Sequence, residues 1–244
     1  MKVMRNSRST RRLIFALAFF LASHTSAFPQ QQQTDEATVI RGIDAVIKER
    51  FEAVLSFTDV EHYAVYRNGD ETHPAAEMTV KTAYNKDTGK TYTVVSETGS
   101  ELLRHFVFDA LLEEEKRINL PANREASWFT SANYEMKLQP GGIQRLDGRD
   151  CLAVSINPRQ KASNHIQGTL WVDAKDFSMV KIDGVSTKSP SMFSGPSHVA
   201  RQYSLVSGFA QAMHARAESD SSLFGKTIVK IEYGDYQVQL RPVR

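Results

Sequence analysis

The sequence predicts a mainly β, α+β fold: a large antiparallel sheet of about ten strands that curls on itself, with helices closing its concave mouth. Three observations predict it. Apolar residues recur at three- and four-residue steps in only two long stretches, which are the helices. Elsewhere, short period-two runs alternate with turn dipeptides at roughly ten-residue spacing. Two helices cannot cover both faces of so many strands, so the sheet has to bend around them.

Taken in order, residues 1–27 stand apart. Lys2, Arg5, Arg8, Arg11 and Arg12 precede an unbroken apolar run over 13–22, and Thr25-Ser26-Ala27 supplies small residues for cleavage after Ala27. These are the three parts of a secretory signal. An apolar run of about ten residues is too short to span ~30 Å of hydrocarbon. Arg11-Arg12 fits a twin-arginine signal only in part, so the export route stays open. No cysteine follows Ala27 to be acylated, so the expected product is soluble and periplasmic. Residues 28–36 (FPQQQQTDE) read as a mobile polar leader, and 37–244 as one domain.

The first helix is expected over 37–57, where Val39, Ile40, Ile43, Val46, Ile47, Phe51, Val54 and Leu55 form an apolar stripe, capped by Thr34 or Asp35. Period-two runs follow at 62–66, 78–84 and 92–95, punctuated by Asn68-Gly69-Asp70 and by a hairpin loop over 85–90. The second helix is expected over 100–118, with Leu102, Leu103, Phe106, Val107, Ala110 and Leu111 on its apolar face and a solvated Glu113-Glu114-Glu115 end. After Pro121 the candidate strands are 133–138, 151–156, 167–173, 178–185, 198–205, 213–219 and 227–238.

Composition narrows function. Removing the signal takes 30 Lys and Arg to 25, against 28 Asp and Glu, so the net charge moves from +2 to −3. A mildly acidic protein has no electrostatic footprint for nucleic acid. The lone Cys151 rules out an intrachain disulfide and reads as a small buried hydrophobe. No Gly-x-Ser-x-Gly, His-Glu-x-x-His or P-loop is present, and the histidines are scattered singly. Ser178 and Lys181 have Ser-x-x-Lys spacing, but in a strand residues three apart face opposite sides. No catalytic residue, metal site or cofactor is therefore assigned. A curled sheet with an apolar concave side is instead a container for apolar ligands.

An ordered series of segments then carries a family resemblance. It runs through Asn133-Tyr134-Glu135-Met136-Lys137-Leu138, Leu146-Asp147-Gly148-Arg149-Asp150-Cys151 and Asn157-Pro158-Arg159. It continues with Gln167-Gly168-Thr169-Leu170-Trp171-Val172-Asp173-Ala174, Ile182-Asp183-Gly184, Ser189-Pro190-Ser191, Leu223-Phe224-Gly225 and Ile231-Glu232-Tyr233-Gly234-Asp235-Tyr236. The series resembles the LolA/LolB-like group of exported outer-membrane lipoprotein-sorting proteins, over about residues 40 to 239. Its most specific piece is the Gly-x-Leu-Trp-Val-Asp strand followed by Ile-x-Gly. Where many relatives carry a Trp-Leu-Pro-like segment, this chain reads Gly208-Phe209-Ala210-Gln211-Ala212.

The resemblance implies an incomplete, strongly curved β-barrel with helices in its mouth and a hydrophobic cavity for acyl chains of lipoproteins or lipids. It further implies transient contact with the inner- and outer-membrane lipoprotein machinery. Without a lipobox cysteine the chain looks more like the soluble carrier than the anchored acceptor. A periplasmic sensor of the RseB kind is the alternative, and an uncharacterised periplasmic enzyme the less favoured one. On the carrier reading, Leu102, Leu103, Phe106 and Val107 face the cavity or are ordinary core. Trp171 lies on the concave or the convex side, and Met192 and Phe193 form an apolar loop at the mouth or a packed crossover.

Overall fold

A computed structural model describes residues 35–162, 164–188, 196–221 and 225–242. Its first element, α1 (Glu36–Ala53), is capped by Asp35, whose carboxylate accepts the Thr38 amide at 3.2 Å. The helix thus begins inside the expected leader and ends four residues before the expected Phe57. Val54 leaves it directly for β1 (Val54–Arg67) and pairs with Leu240. The helical periodicity of 54–57 loses to cross-strand pairing, which buries Val54 and Phe57 against Tyr84.

β2 (Ala76–Asn85) and β3 (Gly89–Gly99) form the expected hairpin. The second helical stretch starts where Ser100 accepts the Leu103 amide at 3.4 Å. It consists of α2 (Glu101–Leu103), a π-helical turn (Arg104–Asp109) and α3 (Ala110–Asn119). A short 3₁₀ helix, Arg124–Ser127, leads to β4 (Tyr134–Leu138). The rest is sheet: β5 (Gln144–Leu146), β6 (Arg149–Pro158), β7 (Ile166–Asp173), β8 (Met179–Ser186), β9 (His198–Val206), β10 (Phe209–Ser221) and β11 (Gly225–Leu240). All seven strands expected after Pro121 are present, and the three-residue β5 is an addition.

The eleven strands make one antiparallel sheet in the order β3-β2-β1-β11-β10-β9-β8-β7-β6-β4, with β5 against β6. The first and last strands pair as the third and fourth in that order, and the sheet stays open between β3 and β4. Curvature is visible at one cross-strand pair. Gly168 and Gly184 lie directly opposite each other on the face shared by Leu170, Val172 and Ile182. A Cβ on Gly168 would sit 2.2 Å from the Asp183 carbonyl oxygen, and one on Gly184 2.4 Å from that of Gln167. The backbones approach too closely on the inner face to admit a side chain, as in a sheet folded inward there.

Two apolar clusters divide the inner face. α1 puts Val39, Ile43 and Ile47 onto Tyr134, Leu152, Val154, Leu170 and Ile182. Leu103, Phe108 and Leu112 pack onto Tyr63, Val65, Met78 and Val80. Gly42 belongs to the first contact: a Cβ there would meet the Phe177 ring at 2.2 Å, so the missing side chain is the ring's seat on α1. Cys151 is buried, as expected, and burial pushes its thiol pKa up.

Candidate functional site

Each helical stretch is committed to its own half of the sheet, and the strands between the halves are left uncovered. A cavity of about 350 Å³ occupies that space. Val46, Arg50 and Phe51 of α1 and Leu111, Glu115 and Ile118 of α3 form its roof. Val199, Arg201 and Tyr203 of β9 with Val229, Ile231 and Tyr233 of β11 form its floor. Between them β10 contributes Ala210, Ala212, Ala215 and Ala217. The space persists because the strand under it carries alanines where larger side chains would reach the helices. Aromatic pairs stiffen the walls: Phe51 stacks on Trp128 at 4.3 Å and Phe57 on Tyr84 at 4.9 Å between centroids.

One wall is polar. Glu61 is fully buried and accepts hydrogen bonds from the Tyr63 hydroxyl, from Thr82 at 2.9 Å and from Lys90 Nζ at 3.1 Å. Lys90 also reaches Glu115 on α3 at 3.4 Å, and Arg201 lies 4.0 Å from the other oxygen of Glu115. Burial by itself would lower the Lys90 pKa, but Glu115 and Glu61 hold it well above the usual range. Burial would likewise raise Glu115, and Lys90 and Arg201 together bring it below its ordinary value. Beside this network Asp59 is buried, its Oδ1 makes no hydrogen bond, and its pKa is pushed up to about 7, by burial first and by Glu61 second.

Arg50 sits on the opposite side of the same space. Its Nε donates to the Ala210 carbonyl at 3.1 Å and its Nη2 to Gln211 Oε1 at 2.7 Å, while its guanidinium lies 5.0 Å from the Phe51 ring centroid. Burial lowers its pKa, and the neighbouring phenols of Tyr84, Tyr236 and Tyr203 oppose that. The segment 208–212, which the segments of the sequence resemblance do not include, thus holds the arginine.

Leu102, Leu103, Phe106, Val107 and Trp171, expected to line the cavity, are not among its lining residues. Leu103 is 1% exposed and sits in the cluster under α2 and α3, with Val107 packed against it. Leu102 and Phe106 are 52% and 43% exposed and point away from that core. The π-helical turn changes the rotational phase of this stretch, so residues one to three turns further on, Leu111, Glu115 and Ile118, face the space. Trp171 is on the face opposite Leu170 and Val172, where its Nε1 donates to Gln144 at 3.3 Å and Lys181 lies 5.2 Å from the ring centroid. Met192, Phe193 and the cleavage site after Ala27 lie outside the described residues. Arg50, Lys90, Glu115 and Arg201 carry no local motif, and sequence reasoning missed them. The one readable sign was the recurrence of alanine along β10. Among the described residues no three His, Cys, Asp or Glu side chains are grouped to hold a metal.

No family model and no curated protein matches the chain. Solved structures do. A LolA superfamily protein from Nitrosomonas europaea is 11% identical with a TM-score of 0.46, over 85% of this chain and 94% of that one. A putative outer membrane lipoprotein-sorting protein domain from Vibrio parahaemolyticus is 12% identical with a TM-score of 0.44, over 81% and 91%. A DUF1329 family protein from Desulfovibrio piger is 13% identical with a TM-score of 0.42, over 82% and 93%. At these identities the likeness is one of overall fold and assigns no activity.

Proposed function

We propose that the chain is a soluble periplasmic carrier that holds acyl chains of lipoproteins or lipids in its cavity, in outer-membrane lipoprotein sorting. The observation that carries this reading is the apolar space between the curved sheet and the helices, roofed by Val46, Phe51, Leu111 and Ile118. Its volume is at the small end of the roughly 300–1,000 Å³ typical of ligand sites. Each methylene buried there contributes about 0.8 kcal/mol, so uptake needs no chemical step. Residues 1–27 supply the export signal, and no helix among the described residues is long and apolar enough to cross a membrane. The sequence resemblance to the lipoprotein-sorting group supports the cargo class.

Native mass spectrometry of the protein purified from its own cell envelope tests the proposal. The expected result is a co-purifying lipid or acylated peptide that is lost on organic extraction. An empty protein that also fails to take up any aliphatic probe overturns it.

A further inference from the structure

One cation of the cavity stands apart from the charged network of its wall. Lys90 is shared by Glu61 and Glu115, and Arg201 lies at the edge of ion-pair distance from Glu115. Arg50 has only neutral partners: a carbonyl, an amide oxygen and an aromatic face. No described carboxylate lies within ion-pair distance of it, and the residues outside the description include no Asp or Glu. A half-buried guanidinium without a counter-ion carries a desolvation cost, and the cost falls when an anion binds it. Two further donors near it are unused: Gln211 Nε2, on the side chain that holds Arg50, and Arg201 Nε across the Tyr203 phenol, a ring whose pKa responds to both arginines.

Resting on the carrier reading and deepening it, we propose that the preferred ligand is a single-chain amphiphile with a carboxylate head, a free fatty acid, and that Arg50 receives the head inside the cavity. The planar guanidinium matches a carboxylate in two-point geometry. A single guanidinium without a carboxylate partner suits a monoanion better than a phosphate monoester, which carries about −1.5 to −2. The small volume suits one chain. The tail runs past Phe51 and Trp128 and over Ala215 and Ala217.

The test compares dodecanoate, dodecanol and dodecyl phosphate as ligands of the whole mature chain, by titration calorimetry. Dodecanoate is expected to bind at least about tenfold more tightly than dodecanol, and Arg50→Gln to abolish that difference between the acid and the alcohol. Equal affinity of the acid and the alcohol overturns the inference and leaves the carrier reading standing. So does a tenfold preference for the phosphate. If none of the three binds, both fall. The comparison of the three ligands on the unmodified protein needs no variant, so a poorly folding Arg50→Gln protein does not remove the test.

Discussion

Asp59→Asn tests the electrostatics of the cavity wall through stability. A carboxyl whose folded pKa is about 7, against an ordinary value of about 3.9, binds its proton more tightly in the folded state. The sign follows. Below pH 4 both states are protonated and Asp59 is neutral to stability. Between pH 4 and 7 the unfolded state ionises while the folded state stays protonated, so stability is lost as pH rises, and the loss is complete above pH 7. Three pKa units correspond to about 4 kcal/mol at most. Asparagine keeps the shape and does not ionise. The stability difference, Asp59→Asn minus unmodified protein, is therefore expected to grow in favour of the variant by up to about 4 kcal/mol between pH 4 and pH 8. Urea unfolding at a series of pH values measures it, with an unchanged m-value showing that the same surface is exposed. A difference that stays flat within about 0.5 kcal/mol over that range refutes the reasoning.

Three further substitutions probe other parts of the argument. Ala215→Phe fills the cavity from β10 and is expected to weaken binding of an aliphatic probe at least tenfold, with little loss of thermal stability because the space is already there; unchanged binding places the ligand elsewhere. Gly184→Ala puts a methyl group against the Gln167 backbone, and a loss of about 1–3 kcal/mol in chemical denaturation is expected, whereas a neutral result removes the close approach. Gly42→Ala would stabilise an unencumbered helix by about 1 kcal/mol; here it has to displace Phe177, so net destabilisation is expected, and a raised melting temperature contradicts the packing.

Much of the architecture was legible because it is local. Asp35 and Ser100 at the helix starts, the Asn68-Gly69 turn, both in left-handed backbone, and the alternation along β7 and β8 each act over a few residues. The two glycines of the most specific motif, Gly168 and Gly184, proved to be partners across β7 and β8. The errors arose where distant partners override local pattern. Residues 54–57 carry helical spacing but are claimed by β11. Leu102 and Phe106 carry the right periodicity for the wrong face, since a π-helical turn leaves no mark in an apolar pattern. The polar wall joins Lys90, Glu115 and Arg201 from three elements and faces Arg50 on a fourth, and no spacing along the chain encodes such a meeting.

The pairing of β1 with β11 also bears on timing. Val54 meets Leu240 and Arg67 meets Thr227, so this part of the sheet waits for the last strand to be made. Contacts closed over so long a stretch of chain carry a large loop-closure penalty and slow folding, toward the millisecond-to-second range of non-local β topologies. The helices that follow β3 can cover the inner faces of β1 and β2 early, but the open edge of β1 has no strand partner until β11 arrives. The seam between β1 and β11 therefore closes only after every strand between them has been made, and the two flanks of the sheet are joined by its latest contact.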